Sequence, residues 1–231
     1  MTVTYIHHSG FLVETETSYY LIDYFQGLIP VLNPGKPIIV LASHKHYDHY
    51  QKSVFAVLKD MGMQKIFAVL SRDIPARARP EDVPCMAVSA GKRYELPQGQ
   101  ELRTLCSTDL GVAFLIRDGE ERFYHAGDLN DWVWAEESDG FNRRMTAKYH
   151  QQIDQLAREL DGCPLTVAFV VLDPRQERDY DRGMLYFLQH IPCDCVYPMH
   201  YWEQPRIIAR FLWEHPQYQN RVMLTQSPDL L

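Results

Sequence analysis

The stretch Ser43-His44-Lys45-His46-Tyr47-Asp48-His49-Tyr50 is the part of the chain from which the rest is read. Four metal-capable side chains, those of His44, His46, Asp48 and His49, fall within six residues. The run before it, Ile38-Ile39-Val40-Leu41-Ala42, is apolar and rich in β-branched residues, the pattern of a buried strand. After it, between Gln51 and Met61, Val54, Val57, Leu58 and Met61 recur at helical spacing, and Gly62 is placed to end that helix. The cluster therefore lies on a strand-to-helix connection at the carboxyl end of a strand, where open α/β sheets hold their ligands. His44 and His46 alternate with Lys45 and can point the same way from extended backbone, while Asp48 and His49 approach from the turn. Imidazole and carboxylate together suit zinc, iron or manganese far better than calcium or magnesium.

Working outward, Val3–Ile6, Phe11–Glu14 and Tyr19–Asp23 read as a meander of three short strands leading into Ile38. Ile66–Leu70 returns as a strand, and the proline-bearing segment 71–84 reads as an irregular loop. Cys85–Val88, Glu101–Leu105, Val112–Arg117 and Arg122–His125 read as strands, with Asp118-Gly119 as a tight turn. The segment from Asp131 to Arg144 carries no clear period. Met145, Tyr149, Ile153, Leu156 and Leu160 mark an amphipathic helix stopped by Gly162 and Pro164. Thr166–Leu172 is an apolar run that suits a strand buried on both faces. Helices at 183–190 and 205–214 and strands at 195–199 and 222–224 complete the reading. Strands and helices in both halves, with no linker or repeat, predict one α/β domain over residues 1–231. Its expected architecture is a four-layer αββα sandwich of two mixed β-sheets with helices outside.

The chain has 231 residues, a hydrophobic fraction of 46% and a formal charge of −7. That charge argues against a general binder of nucleic acid or anionic membrane. A small anionic substrate stays open, because a bound cation can dominate the local field. The five cysteines, Cys85, Cys106, Cys163, Cys193 and Cys195, are scattered and odd in number, which is not a disulfide framework. No basic segment leads into an apolar run at the amino end, and no apolar run approaches the roughly 18 residues of a membrane span. The expectation is a reduced, cytoplasmic protein that acts on a small molecule; its oligomeric state is not written in the sequence.

A metal cluster needs donors from several strand ends, and two later sites qualify. His125-Ala126-Gly127-Asp128 follows an apolar strand, and Gly127 lets the backbone turn sharply before a carboxylate that can bridge two ions. Tyr197-Pro198-Met199-His200 closes another apolar strand. Alone, each would read as a turn aspartate and a structural histidine; with the opening cluster both become ligand candidates.

This order of motifs resembles the metallo-β-lactamase fold superfamily. Its HxHxDH signature covers His44, His46, Asp48 and His49, its later Gly-Asp matches Asp128, and its strand-end histidine matches His200. The opening His8-Ser9-Gly10-Phe11-Leu12-Val13 looks like the branch that includes ascorbate-phosphate lactonase and phosphodiesterase-like proteins. The resemblance implies one or two divalent ions, zinc first, with manganese or iron also suited. One ion would take His44, His46 and bridging Asp128; the other would take Asp48, His49, Asp128 and His200. Asp48 and Asp128 would then be the catalytic carboxylates of a hydrolase acting on an ester, lactone or phosphodiester centre.

One departure bears on this. The family supplies a further histidine between HxHxDH and Gly-Asp, yet no histidine lies between His49 and His125. In the corresponding segment, 105–112, Asp109, Ser107 or water can fill the gap. A metal-containing sensor with little turnover, or an iron redox protein, therefore remains open beside the hydrolase. His8 is placed either near the site or in a packed turn, and His125 in a supporting or packing role. Asp173 can back a ligand and Arg175 can hold a substrate anion. Trp132, Trp134 and Trp202 follow ligand motifs and can wall a pocket or simply pack. Cys193 and Cys195 have the wrong spacing for a zinc ribbon and read as packing.

Overall fold

The computed structural model describes residues 1–225. The strands are β1 (Thr2–His7), β2 (Gly10–Glu14), β3 (Tyr19–Ile22), β4 (Ile38–Ala42), β5 (Ile66–Ser71), β6 (Cys85–Val88), β7 (Arg93–Glu95), β8 (Glu101–Cys106), β9 (Val112–Asp118), β10 (Glu121–His125), β11 (Leu165–Val171) and β12 (Cys193–Met199). The helices are α1 (Val54–Asp60), α2 (Asp139–Leu160), α3 (Arg182–His190) and α4 (Arg206–Glu214).

Each half of the chain builds one six-stranded mixed sheet. The first runs β1-β2-β3-β4-β5-β6, antiparallel up to β3 and parallel beyond it. The second runs β12-β11-β10-β9-β8-β7, parallel from β12 to β10 and antiparallel beyond. β4 shows why the sheets stack as they do. Its side chains alternate between faces, as a strand's must. Ile39 and Leu41 join Phe114, Phe123 and Phe169 in the core between the sheets. Ile38, Val40 and Ala42 join Val54, Phe55 and Leu58 of α1 on the outer face. On the far side, Tyr124 stacks on Phe187 of α3, and Tyr149, Ile153 and Leu156 cover the second sheet from α2. Burying each large apolar side chain contributes about 1.5–3 kcal/mol, so neither sheet face is stable uncovered. The result is the expected αββα sandwich.

Several boundaries differ from the sequence expectation. Helix α1 starts at Val54, not Gln51. The backbone first folds back on the histidine cluster: the amides of His49 and Tyr50 donate to the His46 carbonyl, and that of Gln51 donates to Tyr24. Helix α2 starts at Asp139, well before Met145, because Ser138 Oγ caps it by accepting the Phe141 amide at 3.2 Å. β7 has no periodic signal of its own and exists as an edge strand on β8. The strand expected at 222–224 is reduced to one bridge between Val222 and Val196. All five cysteines are unpaired. Among the described residues, no helix is long and apolar enough to cross a membrane.

Because β1 and β3 both run antiparallel to β2, the ends of β1, β3 and β4 lie at one edge of the first sheet. The ends of β10, β11 and β12 lie together at one edge of the second. The residues that follow these six strands are His8, Asp23, Ser43 and His44, Asp128, Asp173, and His200.

Candidate metal centre

The six strand ends converge on the Asp128 carboxylate. Its Oδ1 lies 3.1 Å from His49 Nε2 and 3.3 Å from His200 Nε2, and its Oδ2 lies 3.3 Å from His44 Nε2. His46 Nδ1 is 2.9 Å from His44 Nε2. Two donor groups result, each with its atoms within 4.8 Å of one another: His44, His46 and Asp128 in one, and His8, Asp48, His49 and His200 in the other. Apart from His46, which is partly exposed, these residues are buried.

The supporting hydrogen bonds fix which nitrogens face inward. Asp23 is wholly buried and accepts from the Ser43 amide at 2.7 Å, from Ser43 Oγ at 2.6 Å and from His49 Nδ1 at 2.8 Å. With its proton given to Asp23, Ser43 Oγ accepts from His44 Nδ1 at 2.9 Å. His200 Nδ1 donates to Asp173 at 2.9 Å. In all three rings the Nδ1 proton is engaged, which leaves the Nε2 lone pair directed at Asp128. A lone pair facing a carboxylate oxygen is repulsive unless a cation or a proton stands between them. Donors about 2.1 Å from a shared ion sit about 3.0–3.4 Å apart, close to the separations found here. Of the buried polar atoms in this cluster, His8 Nε2, His49 Nε2 and Asp128 Oδ1 have no hydrogen-bond partner. The donor set therefore fits a divalent cation.

The local fields agree. Burial pushes the Asp128 carboxyl up, but His49 and His200 outweigh it and hold the group well below the usual carboxylate range. Burial likewise raises Asp23, and His125, His49 and His44 bring it to a net depression. Burial pushes His49 down, yet Asp128 and Asp23 raise it well above the usual imidazole range. Burial raises Asp173, while hydrogen bonds from His200 and Arg175 bring it down to about 2. These are carboxylates that stay charged and face histidines; with no ion between them they hold His49 protonated, and a bound cation would take the place of that proton on Nε2.

Two glycines let the loops close. Gly111 (φ +69) lies against the cluster loop, and a Cβ there would fall 1.9 Å from the Ser43 carbonyl oxygen. Gly127 (φ +53) is also close, with a Cβ 2.7 Å from Ser43 Cβ. A side chain at Gly111 would have to move Ser43 and His44, and one at Gly127 would have to move Ser43. Gly111→Ala is expected to lower stability by about 1–3 kcal/mol, the usual cost of overpacking, and to weaken metal retention. Thermal unfolding with and without added zinc measures both effects.

The remaining candidates fall as follows. Asp109 Oδ2 lies 4.0 Å from His46 Nδ1, half-exposed and outside the tight donor group. Ser107 Oγ accepts the Asp109 amide. His125 is directed away from the centre: its Nε2 meets the Ser9 carbonyl at 2.9 Å, and its Nδ1 accepts the Gly127 amide. Arg175 pairs with Asp173 and lies over Trp202 at 4.6 Å and Trp134 at 5.9 Å. Trp132 stacks on Trp134 and meets the edge of His200, and Trp202 lies 4.5 Å from His8. Cys193 is buried at the start of β12, away from the donor groups. A surface cavity of about 850 Å³ opens elsewhere, beside Arg93, Arg103 and Glu159, where both arginines pair with the glutamate. Asp23 is the residue that the sequence reading missed as part of the site. Its only local signal is a charge closing the apolar run Tyr19–Ile22, which also suits an ordinary turn.

This fold and this donor set define an αββα sandwich whose strand ends gather a His/Asp cluster that could hold a metal ion. The chain belongs to the β-lactamase superfamily: the family described as "Beta-lactamase superfamily domain" matches residues 2–143. Among solved structures it is similar to Igni18, a metallo hydrolase from the archaeon Ignicoccus hospitalis, with 19% identity, TM-score 0.66, and coverage of 98% of this chain and 94% of that one. It is also similar to CmlA, a diiron β-hydroxylase from Streptomyces venezuelae, with 12% identity, TM-score 0.61, and coverage of 96% of this chain and 52% of that one. Zinc-bound PqqB from Methylobacterium extorquens matches at 12% identity and TM-score 0.55, covering 94% of this chain and 84% of that one. At such identities the likeness is one of fold. No curated protein sequence matches the chain.

Proposed function

We propose that this protein is a metal-dependent hydrolase of a small ester, lactone or phosphodiester, with ions held by His44, His46 and Asp128 and by Asp48, His49, Asp128 and His200. The observation that carries this reading is the Asp128 carboxylate, which directs one oxygen to each donor group. Zinc suits the imidazole-rich set first, with manganese or iron also accommodated. A divalent ion there supplies Lewis acidity and a water made acidic enough to ionise near neutral pH.

The chain's own residues divide the other tasks. Asp128, with one oxygen toward each donor group, would hold the cations and help to orient the attacking water. Asp48, whose Oδ2 lies 3.5 Å from His8 Nε2, would orient that water with it and take its proton. Trp132 and Trp202 exclude water beside His200. Arg175 is half-exposed, with its Nε and one terminal nitrogen committed to Asp173. Its other guanidinium N–H groups can receive a substrate anion. The segments 131–144 and 173–182 around these residues set substrate choice, and the ascorbate-phosphate lactonase-like branch supplies the nearest chemistry to try. The five unpaired cysteines support a cytoplasmic setting.

A second reading has its own observation. The group around His44 and His46 holds only two imidazoles and a carboxylate, with Asp109 4.0 Å from His46. Such a set also suits iron, or a sensor that binds metal without turnover. Metal analysis of protein purified without added metal, together with assays on generic phosphodiesters and lactones, separates the readings. Two equivalents of zinc or manganese with hydrolysis supports the enzyme. Iron with a visible absorption band, or tight metal without turnover, overturns it.

A further inference from the structure

His8 lies outside the HxHxDH, Gly-Asp and strand-end motifs, yet it sits in the second donor group with Asp48, His49 and His200. Its backbone is left-handed (φ 55), a conformation that non-glycine residues rarely adopt. The turn is pinned on both sides. The His8 amide donates to the Tyr5 hydroxyl at 2.8 Å, and its carbonyl accepts from the His200 amide at 3.3 Å. The second pin ties His8 directly to a member of the centre. The ring is 3% exposed, and its Nε2 is buried without a hydrogen-bond partner, 3.5 Å from Asp48 Oδ2. Packing explains only part of this. The ring rests against His200 at 4.2 Å and Trp202 at 4.5 Å, contacts that any apolar ring could make. An apolar ring would leave no orphaned nitrogen beside a carboxylate. Both the strained backbone and the unpaired nitrogen are unfavourable alone, and a shared cation accounts for both.

We infer that His8 is a further ligand of the second metal position, joining Asp48, His49, His200 and Asp128. This rests on the metal-centre reading above. It makes the two positions unequal. The second is buried and gathers four donors, with Asp128 Oδ1 3.1 Å from His49 and 3.3 Å from His200 as the fifth; the first has His44, His46 and Asp128, with His46 partly exposed. The second position loads first and keeps its ion, while the first exchanges and presents open coordination to substrate.

The test is stepwise metal titration of the full chain with Zn²⁺ and with Co²⁺, in competition with a chromophoric chelator. His8→Asn is the informative variant, because asparagine tolerates left-handed backbone and its amide is a poor metal donor. The wild type should take one equivalent tightly and a second weakly. The variant should lose at least about 10-fold in the tight step, with the weak step unchanged and an altered cobalt band for the first equivalent. X-ray absorption of the wild type loaded with one equivalent of Zn²⁺ reads the same point without any variant that must fold. Three imidazoles around that ion support the inference; two overturn it. An unchanged tight step and cobalt band in His8→Asn also overturn it while leaving the metal centre standing. Failure of the wild type to bind any metal removes both the inference and the reading beneath it.

Discussion

Asp128→Ala is expected to lose metal from both positions and to lose hydrolysis with it. The carboxylate is the one group shared by the two donor sets, with Oδ1 facing His49 and His200 and Oδ2 facing His44. Without it the first set keeps two imidazoles and no carboxylate, and the second keeps its histidines with Asp48 as its one carboxylate. Losing a residue that merely supports a ligand costs about 10–100-fold in affinity or activity, so losing the shared ligand should cost more than about 100-fold. The variant should still fold. The Trp132 indole at 2.9 Å and the Thr108 hydroxyl at 3.4 Å reach the Asp128 backbone carbonyl, which alanine keeps. Elemental analysis beside circular dichroism is the check. A folded variant with full metal occupancy rules out the bridging role.

Asp23→Asn is the second large effect, although Asp23 does not face the metal positions. The native carboxylate accepts from the Ser43 amide, Ser43 Oγ and His49 Nδ1. An asparagine amide has the same shape but turns one acceptor into a donor. A donor facing His49 Nδ1 favours the tautomer with its proton on Nε2, the atom directed at Asp128. A donor facing Ser43 Oγ disturbs the hydrogen bond that sets His44. The expected result is a fall of about 10–100-fold in metal affinity. Stability should also drop by about 1–3 kcal/mol, because a buried donor is left poorly paired. Zinc competition titration reads the first effect and chemical denaturation of the metal-free protein the second. Wild-type affinity in a destabilised variant would show that Asp23 serves the fold alone.

The two variants probe residues that were unequally legible. Asp128 is readable because Gly127-Asp128 follows an apolar strand and completes a spaced motif begun at His44. Asp23 carries no such context. It joins the site because β3 pairs in parallel with β4, with Ile22 opposite Leu41, and the Asp23 amide donates to the Leu41 carbonyl at 2.9 Å. That register brings Asp23 beside Ser43 across 20 residues of chain. His8 is similar. Its placement needs β1 and β12 in different sheets to end at the same rim, and the His200 amide records that meeting. The start of α2 was hidden for a different reason: its first turn is set by a Ser138 cap rather than by apolar period.

By itself the sequence determined what is local in period and spacing. It specified the buried strand Ile38–Ala42, the four donors packed after it, the strand-ending Asp128 and His200, and through their alternation a sandwich of two sheets. Hydrophobic period and motif spacing act over a few residues, so a linear reading can see them. Only the tertiary structure decided which polar residues at other strand ends complete the centre. His8, Asp23 and Asp173 owe their places to parallel register and to the stacking of two sheets, which depend on contacts between distant segments. A charge or histidine after an apolar run looks the same in sequence whether it meets water or a metal.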